Sequence, residues 1–265
     1  MSDIDLVFAA PLARIRLNAP ARRNAISRAM WRRLPEICAA IEAEQDALVV
    51  VVEGEGGHFS AGADISEFAE VYRDAETTHD YVEAIQRGLA SLAALDRPTI
   101  AAISGVAIGG GLGLALCCDL RFCSDDAVLA ITPAKLGLLY GFVETRRLVE
   151  LVGPSRAKDL LFSGRRVAPA EALAMGLVDH VAPADELHGH VESYAAELTR
   201  LSQRSIRGAK RAVDAIAGGL REETPAFREA VEAAALGEDF SEGRAAFAQK
   251  RAPGFTFRGA TKAVE

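Results

Sequence analysis

The stretch GVAIGGGLGLAL, Gly105 to Leu116, sets the tightest limit on how this chain can fold. It follows a strand-like run, Thr99 to Ile103, and opens into an apolar Ala/Leu-rich segment ending at Asp119. A glycine inside regular structure costs about 0.5–1 kcal/mol against alanine. Three in a row at a helix start therefore imply a requirement that glycine meets: a positive φ, or something that must approach the backbone closely. Unpaired N–H groups at a helix start carry partial positive charge and hold anions or developing oxyanions. A tight turn packed against a sheet is the other reading of the same residues.

The same neighbourhood raises and answers a membrane question. Pro98 to Cys118 carries no charge and is long enough to span a bilayer. It also holds five glycines and a leading proline, so strand, turn and buried helix explain it better. The first residues lack a basic start and an apolar core, which predicts no signal peptide. Cys38, Cys117, Cys118 and Cys123 sit in apolar surroundings without a CxxC pair, and read as buried free thiols in a reducing cytoplasm. A net charge of −7 over 265 residues disfavours general nucleic-acid binding, so an anionic ligand would need local Lys and Arg.

Along the chain, Asp5 to Ala9 and Ala13 to Leu17 predict a hairpin around Ala10-Pro11. Ile26, Met30, Leu34, Ile37 and Ile41 fall at helical spacing, with Pro35 expected to kink or divide the helix. Leu48 to Val52 is an unbroken apolar run, as in a strand buried on both faces. The Gly-rich loop Glu53 to Phe68 follows, and Asp64 with Glu67 reads as a capping box opening a helix. Tyr72 to Leu95 is polar and helical, with a weak pattern over Asp74 to Asp80 that predicts a mobile segment. Strand, glycine loop and helix thus occur twice, which points to a parallel-sheet α/β fold. Asp119 to Ser124 and Ala127 to Ile131 read as short strands, and Ser155 to Phe162 and Pro169 to Met175 as helices ended by Gly164 and Gly176. Beyond Ala184 only helices are expected, with breaks near Gly218-Gly219 and Gly237.

Several chemistries can be tested against the residues. No glycine run is followed by Lys-Ser or Lys-Thr, Leu116 stands where a dinucleotide fingerprint needs its third glycine, and no GxSxG occurs. His188 and His190 lack a third metal ligand.

HFSAGADI (His58 to Ile65), PTIAAISGVAIGGGLGLAL with the CDLR that follows (Cys118 to Arg121), GRRVAPAEALAMGLVDHV (Gly164 to Val181) and KRAPGF (Lys250 to Phe255) together resemble the crotonase family, the enoyl-CoA hydratase/isomerase superfamily. The resemblance covers nearly the whole chain. It implies an α/β fold of ββα units in a spiral (1–195) followed by a helical trimerisation segment (196–265), assembled as a homotrimer or dimer of trimers, with no nucleic-acid or membrane partner. Ile206, Val213, Ile216, Val231 and Leu236 would supply the associating surface. It implies CoA thioester substrates and no cofactor beyond them. It implies further that the backbone N–H groups of Ala61 and Gly110 form an oxyanion hole, and that CoA lies across the Arg22–Asn24 loop and the loop of Ala61, Gly62, Ala63 and Asp64, with Lys250 or Arg251 assisting.

The departures from the family pattern matter as much. Hydratases of this kind carry a glutamate three residues after the oxyanion glycine, and here that position is Gly113. Their second glutamate aligns with Pro133 of ITPAKLG. Neither residue can act as acid or base, although hydration must activate water and protonate carbon. ITPAKLGLLY, ending at Tyr140, resembles the corresponding loop of methylmalonyl-CoA decarboxylase. Loss of CO₂ leaves an enolate without any base, so the expected reaction is decarboxylation of a malonyl-type thioester. Tyr140 would then orient the carboxylate or deliver a proton. Glu144 either approaches the pocket or pairs with Arg146, Arg147 or Lys135, and His58 reads as a surface residue. An atypical enoyl-CoA hydratase or isomerase, and a non-catalytic acyl-CoA-binding oligomer, are the alternatives.

Overall fold

A computed structural model describes residues 3–259. The chain opens with an antiparallel hairpin, β1 (Ile4–Ala9) and β2 (Leu12–Leu17), followed by α1 (Arg28–Ala43) and β3 (Val49–Gly54). Next come α2 (Phe68–Val71) and α3 (Ala75–Ala93), then β4 (Thr99–Ile103), β5 (Val106–Ile108), α4 (Gly110–Leu116), β6 (Leu120–Ser124) and β7 (Val128–Ala130). The rest is α5 (Phe142–Ser163), β8 (Arg166–Val167), α6 (Pro169–Met175), β9 (His180–Ala182), α7 (Leu187–Thr199), α8 (Gln203–Ala217), α9 (Pro225–Ala235) and α10 (Glu238–Gln249).

Six strands form one sheet in the order β1-β2-β3-β4-β6-β9, parallel except for the hairpin, and β5-β7-β8 form a second. The chain steps from the large sheet to the small one and then into a helix: β4, β5, α4, then β6, β7, α5. The first turn does the same in reduced form, because after β3 the single residue Ser60 bridges to Ala107 of β5. This is the expected spiral. Its central strands are apolar throughout since both faces are covered. Val50 and Val52 face α1 and α3, while Val49 and Val51 face Leu187, Val191 and Ala195 of α7.

Four local expectations are corrected. Pro35 neither divides nor ends α1, which runs unbroken through it. The missing Pro35 N–H frees the Trp31 carbonyl, and there Gly88 of α3 packs so closely that a Cβ would stand 3.0 Å from that oxygen. Asp64 and Glu67 do not form a capping box. Asp64 accepts the Ser66 N–H at 3.0 Å to start a 3₁₀ turn, whereas Glu67 caps a different helix by accepting the Arg28 N–H of α1 at 2.7 Å. The weak pattern over Asp74 to Asp80 does not interrupt α3, which starts at Ala75 with Asp74 as its cap, accepting the Thr77 N–H at 2.8 Å. That bond draws the Asp74 carboxyl down to about 2. Finally, the helix expected from Ser155 is the second half of α5, and Gly153, with φ 75° and ψ 164°, separates it from a first half, Phe142 to Val152, that carries the site described below.

The four cysteines are buried and unpaired, and burial pushes the Cys38 thiol up to about 12. Among the described residues no helix is long and apolar enough to cross a membrane. The last helices leave apolar side chains uncovered: Val213, Ile216 and Val231 are exposed, and Leu236 is 89 % exposed and Phe247 88 %.

Candidate active site

Two glycine-rich loops meet edge to edge. Gly62 has φ +102°, and a Cβ there would stand 2.7 Å from the Ile108 carbonyl; a Cβ on Gly111 would stand 2.6 Å from that of Ser60. Gly109, at φ 53° and ψ −119°, turns the chain from β5 into α4 in a conformation that favours glycine. The glycines are therefore required by close approach and by backbone angle together.

Of the two amides expected to form an oxyanion hole, that of Gly110 has no acceptor among the described residues and that of Ala61 is already bonded. The Ala61 N–H is occupied, donating to the Arg23 carbonyl at 2.8 Å. The unused amide on that loop belongs to Ala63. Ile26 pairs with Ala63 in a parallel bridge by donating to Gly62 O and accepting from Asp64 N. That pattern turns the N–H of Ala63 to the other side. Gly62 lies between the two alanines in a positive-φ conformation, which breaks the strand alternation that would otherwise aim both amides alike. Gly110 is the first residue of α4, where an N–H has no intrahelical acceptor. Among the described residues neither the Ala63 nor the Gly110 N–H has an acceptor, and a Cβ on Gly110 would stand 3.7 Å from Ala63 N. Both residues line one cavity.

The facing wall is made of side chains. Tyr140 lies where expected, but its hydroxyl donates to the Gly109 carbonyl at 3.0 Å. Burial, with Glu144 nearby, holds its pKa well above the ordinary tyrosine value. Its proton is thus engaged in holding the glycine loop, which corrects the expectation that it delivers one. Glu144, from the first turn of α5, is 3 % exposed and lines the cavity. It makes none of the expected ion pairs. Arg146 and Arg147 face Glu150, at 3.8 and 3.4 Å, and Arg147 also faces Asp214 at 3.5 Å, while the Lys135 stem runs against Gly164. Gln86 of α3 donates to Glu144 Oε2 at 2.9 Å. Burial raises the Glu144 pKa, and the Gln86 bond opposes that rise only in part. Gly113 explains how Glu144 comes to be there. A Cβ on Gly113 would stand 2.8 Å from Glu144 Cγ and 2.9 Å from the Tyr140 hydroxyl. The space a side chain at position 113 would need is filled by groups from α5 and the loop before it.

The remaining cavity is apolar. Phe68, Tyr72 and Tyr81 form a run of edge-to-face rings with centroids 5.1 and 5.5 Å apart, with Trp31 and Ile85 beside them. Among the described residues Glu144 is the one carboxyl in the lining, and no Lys or Arg contributes to it.

The residues expected to hold CoA are placed unevenly. Gly62 and Ala63 line the cavity. Arg22, half exposed, bridges Asp3 and Asp64, and the Asp64 carboxyl is lowered first by its Ser66 bond and further by Arg22. Asn24 is fully buried, and its side chain is engaged by Ala19 N, Glu55 O and His58 O at 2.9, 2.8 and 2.6 Å. It ties the loops together and presents no group to a ligand, which corrects its expected role. Lys250 is an exposed residue ending α10, away from the cavity lining. His58, expected at the surface, is half-buried, with its Nδ1 turned in against Gly105. Among the described residues no cluster of His, Cys, Asp or Glu could hold a metal ion. One lining residue went unread in the sequence: Gln86 lay on a polar helix with nothing to mark it. Ala63 was read as part of the CoA-holding loop, but its free amide was not, since Ala61 beside it took that role in the resemblance.

Comparison with known proteins gives the family and the fold. Residues 8–258 match the family described as enoyl-CoA hydratase/isomerase. A protein of Mycobacterium tuberculosis named as a probable enoyl-CoA hydratase is 36 % identical over 246 residues, covering 92 % of this chain and 94 % of that one. An enoyl-CoA hydratase/isomerase family protein from Hyphomonas neptunium superposes with a TM-score of 0.94 at 39 % identity, over 97 % of this chain and 98 % of the other. For an enoyl-CoA hydratase from Bacillus anthracis the TM-score is 0.88 at 32 % identity, over 98 % and 100 % of the two chains.

Proposed function

The chain belongs to the enoyl-CoA hydratase/isomerase family, and from that premise we propose that it moves a double bond within an acyl-CoA thioester, from the 3,4 to the 2,3 position, with Glu144 as its single proton carrier. The observation that carries this reading is that one carboxyl, and no other acid or base of comparable reach, lines the cavity beside two unused amides. Glu144, as carboxylate, takes a proton from C2. The electron pair passes into the thioester carbonyl, whose oxygen is held by the N–H groups of Ala63 and Gly110. The same carboxyl then returns the proton to C4 as the electrons flow back, so that atoms balance and the enzyme is restored. No cofactor beyond the CoA thioester is required. Burial suits the first half of the task, because a carboxyl whose pKa is raised is a stronger base toward the C2 proton.

Hydration has less support, since it needs a second group to activate water and neither Gly113 nor Pro133 supplies one. Decarboxylation of a malonyl-type thioester has less support than the sequence suggested. It would bring a substrate carboxylate into a lining that offers a carboxyl and no cation, and Tyr140 has its proton engaged. Exposed Leu236 and Phe247, with Val213, Ile216 and Val231, favour self-association of α8 to α10, as in the expected trimer or dimer of trimers. The deciding experiment incubates the protein with 3-hexenoyl-, crotonyl-, malonyl- and methylmalonyl-CoA and follows products by mass. Conversion of 3-hexenoyl- to 2-hexenoyl-CoA well above the other rates is expected. Faster loss of CO₂ from a malonyl ester would return the reaction to decarboxylation, and no turnover of any ester would leave an acyl-CoA binder.

A further inference from the structure

We propose that Gln86 of α3 is a positioning residue that fixes which oxygen of the Glu144 carboxyl carries the proton. This rests on the reading that Glu144 is the proton carrier. Both ends of the Gln86 amide are engaged. Its Oε1 accepts the Val143 N–H at 3.2 Å, and its Nε2 donates to Glu144 Oε2 at 2.9 Å. The first bond decides the direction of the second. A main-chain N–H pairs only with an acceptor, so the amide oxygen must face Val143 and the NH₂ must face Glu144. Oε2 thereby receives a donor and stays unprotonated, which leaves Oε1 as the atom that exchanges a proton with substrate.

The surroundings are cut to admit this arrangement. Val143 is the second residue of α5, where a main-chain N–H lacks an intrahelical acceptor. The N-cap residue is Gly141, which has no side chain to supply one. Gln86 provides the acceptor from another helix. A Cβ on Gly141 would stand 2.3 Å from Gln86 Nε2 and 2.4 Å from Glu144 Oε2, so the glycine that forgoes a cap is also what leaves room for Gln86 to reach the carboxyl. Gln86 thus performs two separable tasks: accepting from Val143, which supports the helix, and donating to Glu144, which orients the acid.

Gln86→Glu separates them. It keeps an acceptor for Val143 N–H and removes the donor to Glu144, placing a second carboxyl there instead. Gln86→Leu removes both. The measurement is kcat and KM for 3-hexenoyl-CoA against pH in the full chain, with thermal melting and the Kd of saturated hexanoyl-CoA alongside. Loss of a hydrogen bond to a charged group should move the acidic limb of the kcat profile up by about one unit or more, with kcat at neutral pH about tenfold lower. In Gln86→Glu the melting temperature and the hexanoyl-CoA Kd should stay near wild type. Wild-type kcat and an unmoved limb in Gln86→Glu would overturn the inference, as would loss of the fold in both variants, since Gln86 would then be structural only. Glu144→Gln run in parallel keeps the two claims apart. If it retains turnover, the proton-carrier reading fails; if it is inactive while both Gln86 variants behave as wild type, only the positioning role fails.

Discussion

The two walls of the cavity are built from different materials. One is main chain: the Ala63 and Gly110 N–H groups, presented by loops whose glycines allow 2.6–2.7 Å approaches that no Cβ could survive. The other is side chain: Tyr140, Glu144 and Gln86, arriving from two helices and the loop before α5. The main-chain wall depends on backbone geometry alone, so its identity is written in glycine. The side-chain wall depends on whichever residue can deliver a carboxyl to one volume. Gly113 declines to fill that volume and Glu144 occupies it instead. On the proposed reading, a pair of main-chain donors is thus hard to relocate, whereas a carboxyl can be supplied from another helix with the donors intact.

The largest effect should come from the side-chain wall. Glu144→Gln is expected to lower kcat for 3-hexenoyl-CoA by about 10²–10⁴ with little change in hexanoyl-CoA binding. It should also stabilise the protein at neutral pH. The folded Glu144 pKa lies above its unfolded value, so between the two values the native state binds more protons than the unfolded chain, and above both the buried carboxylate costs stability. The stability tied to the protonated carboxyl is present at acid pH and is lost as pH rises through the folded value. The melting temperature of Glu144→Gln should therefore exceed wild type at pH 7, and the gain should vanish below about pH 4. A variant less stable than wild type at pH 7 would mean that the burial cost is not borne by this carboxyl.

Breaking the main-chain wall comes next. Gly110→Ala places a Cβ 3.3 Å from Trp31 Cζ2 and 3.7 Å from Ala63 N, and Gly110→Pro deletes the donor at a position where proline suits the first turn of a helix. Either should lower kcat by about 10²–10³ while acyl-CoA still binds. Ala61→Pro would instead disturb the loop through its lost bond to Arg23. Equal kinetic losses with intact folding for proline at 61 and at 63 would undo the assignment of Ala63.

The comparison is sharpened by attempting to move the carboxyl back. Gly113→Glu alone should cut turnover, because its Cβ overlaps Glu144 and the Tyr140 hydroxyl. Combined with Glu144→Gly it should recover part of the loss, and a non-additive pair in this double-mutant cycle is the expected signature. Strict additivity would mean the two positions do not share one volume. The smallest effect should follow Ser27→Ala, whose side chain lines neither wall. The hydroxyl caps α1 by accepting Met30 N–H at 3.3 Å, so about 1 kcal/mol of stability should go, read by denaturant unfolding, with kcat unchanged.

Much of the architecture was legible because it follows from short-range rules. The hairpin, the apolar β3 and β4, and α6 ending at Gly176 all match local pattern, and the glycine loops announced close approach before any contact was known. Errors arose where a residue serves a partner distant in sequence. Glu67 looked like the cap of its own helix and caps α1 instead. Pro35 looked like a break, but the packing of Gly88 at the Trp31 carbonyl accommodates it. Asn24 looked like a ligand group and is a buried clamp on three main-chain atoms.

The active site divides along the same line. Sequence by itself determined the alternation of strands and helices and the absence of carboxyls at positions 113 and 133, since each is a matter of residue type or local spacing, and its motifs carried the family resemblance that implied the spiral. Only the tertiary structure decided that Ala63 rather than Ala61 offers its amide, because the direction of an N–H depends on the φ of Gly62 and on pairing with Ile26. Only it decided that Glu144 turns inward to Gln86 rather than outward to arginine. Burial, and the partners it brings from α3 across 58 residues of chain, have no counterpart in local spacing, and they decide whether a carboxyl acts as a solvated ion or as a working base.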